Sequence, residues 1–366
     1  RDLSRVEADV SFLPDWDHPS VFEAFRALRT VDAPGWRLEP VLAFLDRLTS
    51  HQKSTLLVHA LLLASMAIEK GLVHLHAHFM TAGARTAYLA HLLTGIPFSV
   101  TAHAKDIYRE PVDVEAFRAI ARATTAMVTV CEANRRYITD RIIGPDGGRV
   151  ECVYNGLPLD ELRQPERPRD RKLVVAAGRL VEKKGFHILF QACRILADRG
   201  TDFDVVLLGE GEERERLTDL RSKLGLEEHV RMPGAVTREK ILQCMSGARV
   251  LAAPGIVGGD QDRDALPTVL LESLALGLPV VSTPVVGVPE IVTDGVEGLL
   301  VPEGDPEALA DAIGRLLADD TLWNRLALSG PQKAAERFDR RRTLPQLVEI
   351  FAESRRRQAA GIRGAG

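Results

Sequence analysis

The chain has 366 residues, of which 45% are hydrophobic but only 5% aromatic, and its formal net charge at pH 7 is −4. This length favours two domains, and this composition favours the aliphatic cores of an α/β protein. A weakly acidic chain has no general attraction for nucleic acid, whose phosphates bind clustered Lys and Arg. The composition therefore argues against nucleic acid as a main partner.

Cysteine usage and hydropathy indicate the compartment. The cysteines Cys131, Cys152, Cys193 and Cys244 form no C-x-x-C pair, which is typical of a reducing compartment and predicts neither a disulfide framework nor a zinc site. The longest apolar stretch, Leu56–Ile68, is shorter than the roughly 20 residues that a membrane-spanning helix needs, so we expect a buried helix there. We therefore predict a cytoplasmic enzyme.

Short β-rich runs alternate with helical periodicity along the whole chain. This alternation predicts parallel sheets built from βαβ units. In the first half the predicted strands are Leu72–His78, Phe98–Ala102, Ala126–Val130 and Val150–Tyr154, and the predicted helices include Ala82–Leu93 and Val114–Ala123.

A charged stretch with two prolines, Arg163–Lys172, has no periodicity and predicts a linker. We place the boundary there, between a domain of residues 1–168 and a domain of residues 169–366. In the second domain we predict the strands Leu173–Ala177 and Asp204–Leu208 and a helix over Gly185–Arg199. A further helix is predicted after Asp305, as its N-cap, with Pro306 at the first helical position.

Residues that directly follow a strand are candidates for a ligand site, because ligands of open α/β sheets bind beyond the carboxyl ends of the strands. Gly178, Arg179 and Lys184 follow the strand Leu173–Ala177, so two cations lie near a glycine that permits close approach. These charges predict a diphosphate site, although solvated surface cations are the alternative. Gly209-Glu-Gly211 follows the next strand, but Arg214 replaces the third glycine of a dinucleotide fingerprint, so the match to NAD binding is weak.

The stretch RDALPTVLLESLALGLPVV is more specific. Pro267 suits the first position of a helix and Gly277 suits its end, and the free amides at such a helix start can bind an anion. Asp264 lies in the loop before this helix, and Glu272 lies about one and a half turns into it. We expect one acid to contact a sugar and the other a ribose, with solvated acids as the alternative.

The aspartates near residue 260 allow two metal hypotheses. Asp260, Asp262 and Asp264 fill positions 1, 3 and 5 of a calcium loop, but the required glycine is Ala265 and position 12 is Leu271. A D-x-D metal pair is the second hypothesis, and Asp202-Phe-Asp204 shares that spacing. A solvated acidic loop is the alternative, and we predict no metal or other cofactor.

Histidines cluster near two strands of the first half. His74, His76 and His78 share one face of a strand, which suggests metal, but hydrogen-bonded imidazoles fit better because no Cys or acid completes a site. His103 directly follows the strand Phe98–Ala102. We therefore favour a functional role for His103 over that of a structural cap.

Taken together, these residues resemble family 4 of the glycosyltransferases, whose GT-B fold has two facing Rossmann-like domains with the donor between them. The resemblance covers nearly the whole chain, and the order of its motifs is more specific than any one of them. The motifs are HAHF, TAHAKDIY, VTVCEANRRYI, VYNGLPLDEL, AAGRLVEKKG, LLGEGEERERL, RMPGAV and the long run from DALPTVLLES to VEGLLV.

The resemblance implies roles for these residues. The family's usual acid pair is Glu-x7-Glu, so Glu272 is expected to bind the ribose and Asp264, one methylene shorter, the transferred sugar. His103 is expected to contact the donor sugar from the other domain. The diphosphate is expected to meet Gly178, Arg179, Lys184 and the backbone amides around Leu266, Thr268 and Val269.

The resemblance also implies the reaction: transfer of a sugar, with retention of configuration, from a nucleotide sugar to a saccharide or lipid-linked acceptor, without a protein nucleophile. Similarity to transferases of capsule, colanic-acid and lipopolysaccharide synthesis implies cell-surface polysaccharide as the product. It also suggests peripheral contact with the inner face of a membrane, for which Arg135, Arg136, Arg141 and Arg355–Arg357 are candidates unless they are simply solvated.

The sequence departs from the family in its first residues. The family opens with a strand and a glycine-rich loop, and nothing before Leu72–His78 resembles them, so we expect a truncated or diverged first domain. The missing strand and the shorter acid Asp264 motivate a second hypothesis, a catalytically silent nucleotide-sugar-binding or scaffold subunit.

Overall fold

The computed structural model of the chain describes residues 35–48, 50–162 and 169–363. Its first sheet has four parallel strands in sequence order, which are β1 (Leu75–His78), β2 (Phe98–Ala102), β3 (Met127–Thr129) and β4 (Val150–Cys152). The predicted alternation of strands and helices thus forms a parallel sheet. The carboxyl ends of these strands lie at one edge, where HAHF and TAHAKDIY begin in the last residues of β1 and β2 and run beyond them.

The second sheet has six parallel strands in the order β10-β9-β8-β5-β6-β7. Its strands are β5 (Leu173–Ala177), β6 (Asp204–Leu208), β7 (Val230–Gly234), β8 (Val250–Ala253), β9 (Val280–Ser282) and β10 (Gly298–Leu300). The chain runs outward from β5 to β7 and then restarts on the other side of β5 at β8. This change of direction opens a crevice beyond the carboxyl ends of β5 and β8, the usual ligand position in such sheets.

Helices cover both sheets. In the first half they span Gly35–Leu45, Ser50–Glu69, Ala82–Thr94, Ala104–Tyr108, Val114–Ala123 and Glu132–Tyr137. In the second half they span Phe186–Asp198, Arg214–Lys223, Arg238–Gly247, Thr268–Ala275, Val288–Ile291, Pro306–Ala318, Asp320–Arg337 and Arg340–Arg363. None of the helices in the described ranges is long and apolar enough to cross a membrane.

Several predicted elements are confirmed with the same bounds, namely β2, β5, β6 and the helix Val114–Ala123. Asp305 caps its helix as predicted, because its Oδ1 accepts the N–H of Ala308 at 3.0 Å. The prediction for β1 was too long, since Leu75 is the first residue to pair with β2. Predicted bounds were also wrong by one or two residues for β3, β4, Ala82–Leu93 and Gly185–Arg199.

The predicted linker falls partly on residues 163–168, outside the described residues, so the domain boundary stays a prediction. The last helix, Arg340–Arg363, returns to the first sheet. Its Ile350 packs against Ala126 and Val128, and Ser354 Oγ lies 2.9 Å from Nδ1 of His74. The last helix therefore packs against the sheet formed by the first half of the chain.

Candidate functional site

The carboxyl end of β5 supplies the cations. Gly178 follows the strand with a φ of +156°, and a Cβ there would lie 3.2 Å from Lys184 Cε, so the lysine stem packs across the glycine. Arg179 is exposed, and within the part of the chain that the structure describes it forms no ion pair. A single turn of 3₁₀ helix, Glu182–Lys184, then orients Lys184. The glycine thus leaves room for a cation to lie directly over the strand end.

Asp264 lies against two ammonium groups. Its Oδ2 is 2.6 Å from Nζ of Lys184, and its Oδ1 is 3.2 Å from Nζ of Lys183. Burial alone would raise the pKa of the Asp264 carboxyl, but Lys184 and Lys183 together outweigh burial and lower that pKa below its ordinary value. Asp264 is therefore an ionised acceptor at neutral pH.

The loop after Asp264 leads into a helix start. The helix runs over Thr268–Ala275, so Pro267 immediately precedes it, one position earlier than predicted. The N–H groups of Thr268 and Val269 belong to the first turn, where a helix offers no internal acceptor. Gly277 follows the helix with a left-handed φ of +62°, which confirms its predicted place at the end. The helix start is therefore available to an anion near Lys184.

The first half of the chain supplies the facing groups. Nε2 of His103 lies 3.2 Å from Nδ1 of His78, and the ring of Phe79 packs on that of His103 with centroids 4.5 Å apart. Burial, reinforced by His78, lowers the pKa of His103 to about 4, so its imidazole is neutral at pH 7. Phe79 has a φ of +67°, which is rare for an aromatic residue and was not anticipated from the sequence.

His103 also begins the short helix Ala104–Tyr108, and its N–H donates to Oδ1 of Asp106 at 2.8 Å. Oδ2 of the same carboxylate accepts the N–H of Met80 at 2.6 Å. Asp106 therefore ties the turns after β1 and β2 together. His103 thus begins a helix and also lies where the cleft opens, so the two roles that were alternatives in the sequence analysis occur together.

A cleft of about 590 Å³ lies between these groups. We call its two sides the first wall and the second wall. The first wall consists of Phe79, His103, Ala104, Lys105, Val130 and Asn155. The second wall consists of Arg179, Lys183, Lys184, Asp264, Ala265, Leu266, Pro267 and Thr268. The structure thus brings together six of the predicted site residues: His103, Arg179, Lys184, Asp264, Leu266 and Thr268.

The other predicted site residues do not line the cleft. Gly178 packs beneath Lys184, and Val269 lines an adjoining cavity of about 30 Å³ that Lys184 and Asp264 also border. Glu272 does not line the cleft. Its side chain is 12% exposed, and its Oε1 accepts a hydrogen bond from Nε of Arg238 at 2.9 Å. Its role as a ribose ligand stays a prediction.

His74, just before β1, and His76 and His78 within it are hydrogen-bonded, which confirms the preferred interpretation. Nδ1 of His76 lies 2.6 Å from Ser99 Oγ, and Nε2 of His74 lies 2.8 Å from the same oxygen. Nε2 of His76 lies 3.0 Å from Oγ1 of Thr101. In the described ranges, no three His, Cys, Asp or Glu residues are grouped to hold a metal ion.

The aspartates of the metal hypotheses are engaged with cations. Oδ1 of Asp262 lies 3.0 Å from Nζ of Lys183, and Oδ2 of Asp260 lies 2.7 Å from Nε of Arg109. Asp202 and Asp204 lie near Lys172 at the start of β6, which is the opposite end of the sheet from the cleft. That D-x-D pair is therefore in the wrong place to serve the cleft.

Two features of the site were not predicted from the sequence. Lys183 is 8% exposed and bonds two aspartates, although only Lys184 matched the family pattern. The aspartate loop also contacts the first half, because Arg109 pairs with Asp260 and the guanidinium of Arg263 lies 4.7 Å from the ring centre of Tyr108. The doubled lysine was the available signal for the first feature, and nothing in the sequence indicated the second.

Part of this chain is similar in sequence to known glycosyltransferases. Residues 160–333 match the family of glycosyl transferases group 1. The amylovoran biosynthesis glycosyltransferase AmsK of Erwinia amylovora is 31% identical over 221 residues, or 60% of this chain and 51% of that protein. A putative colanic acid biosynthesis glycosyltransferase, WcaL of Escherichia coli, is 38% identical over 148 residues, or 40% of this chain and 36% of that protein. The chain thus spans about half, or less, of the length of these relatives.

Two solved structures show the fold. The sucrose-phosphate synthase of Thermosynechococcus elongatus matches with a TM-score of 0.72 and 21% identity, over 82% of this chain and 78% of that one. HepE of Anabaena, solved with UDP and glucose, matches with a TM-score of 0.67 and 22% identity, over 79% of this chain and 81% of that one. The chain therefore has a GT-B fold, and its residues 160–333 are similar to the glycosyl transferases group 1 family.

Proposed function

We propose that this chain is a glycosyltransferase that moves a sugar from a nucleotide-sugar donor, with retention of configuration, to a saccharide or lipid-linked acceptor. The observation that carries the proposal is the second wall, where Arg179, Lys184 and the start of the helix Thr268–Ala275 converge beside Asp264. Cell-surface polysaccharide is the proposed product, since AmsK and WcaL bear the names of amylovoran and colanic acid synthesis.

The chemistry of the second wall suits a diphosphate leaving group. Negative charge grows on the diphosphate as its bond to the sugar breaks, so cations and amide dipoles fixed at that point accelerate the departure. Arg179 offers a planar fork of donors without an ion-pair partner among the described residues, and Lys184 offers a compact charge. The helix start adds N–H groups and a partial positive charge.

The first wall suits the sugar. A neutral His103 can donate or accept a hydrogen bond with a hydroxyl group and does not compete with the cations for the diphosphate. The ionised Asp264 accepts hydrogen bonds from hydroxyl groups on the other side. In this proposal no side chain attacks the sugar, so catalysis consists of positioning and of stabilising the leaving group.

The test is a screen of the full chain against UDP-, GDP- and ADP-sugars, first for binding by thermal shift and then for release of nucleoside diphosphate with saccharide acceptors. We expect one donor class to bind and turn over, and we expect EDTA to leave turnover unchanged because no metal is part of the proposal. Binding without turnover on any acceptor would support the catalytically silent subunit instead. Binding of none of the three classes would contradict both.

We also propose a cytoplasmic location with peripheral contact at a membrane. Arg135 is half-buried and pairs with Glu132 at 2.6 Å, and the side chains of Arg355 and Arg357 lie outside the described residues. Flotation of the full chain with vesicles containing anionic lipid tests the contact, with neutral vesicles as the control. The chain should float with the anionic vesicles only, and absence from both floating fractions would contradict the proposal.

A further inference from the structure

Lys183 is the most buried charged group of the second wall. Only 8% of its side chain is exposed, against 20% for Lys184. Its Nζ lies 3.0 Å from Oδ1 of Asp262 and 3.2 Å from Oδ1 of Asp264. A buried ammonium is costly unless carboxylates compensate it, and here two of them do. Lys183 therefore belongs to a cluster of charges that compensate one another.

That group contains two ammonium ions and two carboxylates, Lys183 and Lys184 with Asp262 and Asp264, so its formal charge is zero. Asp264 is shared, because it bonds both lysines. Lys184 bonds Asp264 and borders the cleft. A diphosphate that approaches Lys184 consequently competes with Asp264 for the same ammonium and meets that carboxylate as a like charge.

The backbone holds Lys183 firmly in place. Its carbonyl accepts the N–H of Ile256 at 2.9 Å, and the carboxylate of the preceding Glu182 accepts the N–H of Gly259 at 3.0 Å. Both contacts fasten the turn Glu182–Lys184 to the loop that carries the aspartates. Lys183 and its two carboxylates thus form one rigid unit, whereas the Lys184 ammonium reaches out to the cleft.

We propose that Lys183 is a positioning residue that retains the Asp264 carboxylate when Lys184 turns to the donor's diphosphate. This inference rests on the proposed function of the cleft. Without Lys183, the diphosphate meets either a lysine that Asp264 keeps neutralised or, once Lys184 turns to the ligand, an Asp264 carboxylate without a counter-ion. With Lys183, the same carboxylate stays paired while Lys184 contributes its charge to the ligand.

A double-mutant cycle tests the proposal, with UDP, GDP and ADP titrated in turn into the full chain by calorimetry. Lys183→Met should weaken the binding of the accepted nucleotide about tenfold, the size of one charged hydrogen bond. In an Asp264→Asn background the same change should cost about twofold or less, since coupled residues are not additive. Lys183→Arg should restore most of the affinity.

Lys172→Met is the matched control. Lys172 also lies between two aspartates, Asp202 and Asp204 at 3.5 and 3.6 Å, but at the other end of the sheet, so its loss should leave nucleotide affinity unchanged. Equal losses for Lys183→Met in both backgrounds would overturn the proposal, because Lys183 would then act on the diphosphate directly. Unchanged affinity in Lys183→Met would overturn it too, while leaving the function of the cleft intact. Failure of the wild type to bind any of the three nucleotides would instead contradict the proposed function.

If Lys183→Met does not fold, as judged by its thermal unfolding, Lys183→Gln completes the same cycle. Glutamine keeps a hydrogen-bond donor for the two carboxylates but carries no charge. Its loss of affinity should again depend on Asp264, and an equal loss with and without that carboxylate would count against the proposal in the same way.

Discussion

The two walls of the cleft are built by different interactions. On the second wall, at the ends of β5 and β8, Lys183 and Lys184 both pair with Asp264, while Arg179 has no ion-pair partner among the described residues. The first wall relies on stacked neutral rings and on hydrogen bonds, with Asp106 tying the turns that carry Phe79 and His103. The difference teaches that three of the four cations lining the cleft lie on the second wall, with Lys105 on the first. In the proposed function, the second wall serves the leaving diphosphate and the neutral rings of the first wall recognise hydroxyl groups.

Contacts beside the cleft also join the two halves of the chain. Glu290 of the second half accepts the N–H groups of Glu132 and Ala133 at 2.8 Å each, at the start of a helix of the first half. Arg109 and Asp260 make a further contact across the halves at 2.7 Å. An anionic acceptor stabilises a helix start, so the Glu290 contacts, like the Arg109–Asp260 pair, hold the two halves of the chain together.

The largest effect is expected on the second wall, from Arg179→Ala. Loss of this cation should lower turnover about 10²- to 10³-fold, as for loss of one donor to a developing anion. Steady-state kinetics with the donor found in the screen measures it. Arg216→Ala, which removes an exposed arginine paired with Glu213 in the same half, is the control and should leave turnover unchanged. Wild-type turnover in Arg179→Ala would show that the diphosphate does not use this wall.

The next effect concerns the backbone of the second wall. Gly185 has a φ of +65°, and a Cβ at this position would overlap the carbonyl oxygen of Pro254. Gly185→Ala should therefore lower the free energy of unfolding by about 2–3 kcal/mol through strain and overlap together. Gly200→Ala is the matched control, since its φ is +71° but no atom lies within 4 Å of the added Cβ. Equal losses in the two variants, measured by denaturant unfolding, would show that the overlap is relieved.

On the first wall the corresponding change is Asp106→Ala. It removes the acceptor of the His103 and Met80 N–H groups, so we expect a loss of about 1–2 kcal/mol, the range for buried donors that lose their acceptor. Urea unfolding measures the loss. Unchanged stability would mean that water replaces the carboxylate, and that the first wall does not depend on it.

A smaller effect should appear in the pH dependence of stability. Burial lowers the pKa of His76 to about 4, against an ordinary value of 6.5. The unfolded chain therefore takes up this proton at a higher pH than the folded one, so the stabilisation is present above pH 6.5 and is lost as the pH falls towards 4. His76→Asn should make the decline of unfolding free energy between pH 6.5 and 4 shallower. An equally steep decline in the variant would contradict this contribution.

Much of this organisation could be predicted from the sequence, because it is encoded locally. The alternation of β-rich runs with helical periodicity predicted the bounds of β2, β5 and β6. The positions just after the predicted strands indicated Arg179, Lys184 and His103 as site residues. Strand order could not be read in the same way, since the return of the chain from β7 to β8 depends on the packing of the whole sheet.

Ion-pair partners that are far apart in the chain could not be predicted from the sequence either. The pairing of Glu272 with Arg238 joins residues 34 positions apart. That of Arg109 with Asp260 joins the two halves of the chain. The sequence does not show whether a carboxylate faces a ligand, solvent or an arginine, because these environments form only in the folded chain.

Calorimetric titration of UDP, GDP and ADP into the wild-type chain and into Lys184→Met tests the central claim most directly. If the second wall binds the diphosphate of a nucleotide sugar, at least one nucleotide binds the wild type, and the substitution weakens that binding about tenfold or more, as expected for one charged hydrogen bond. Equal affinity in the two proteins, or no binding of any of the three nucleotides, would contradict it.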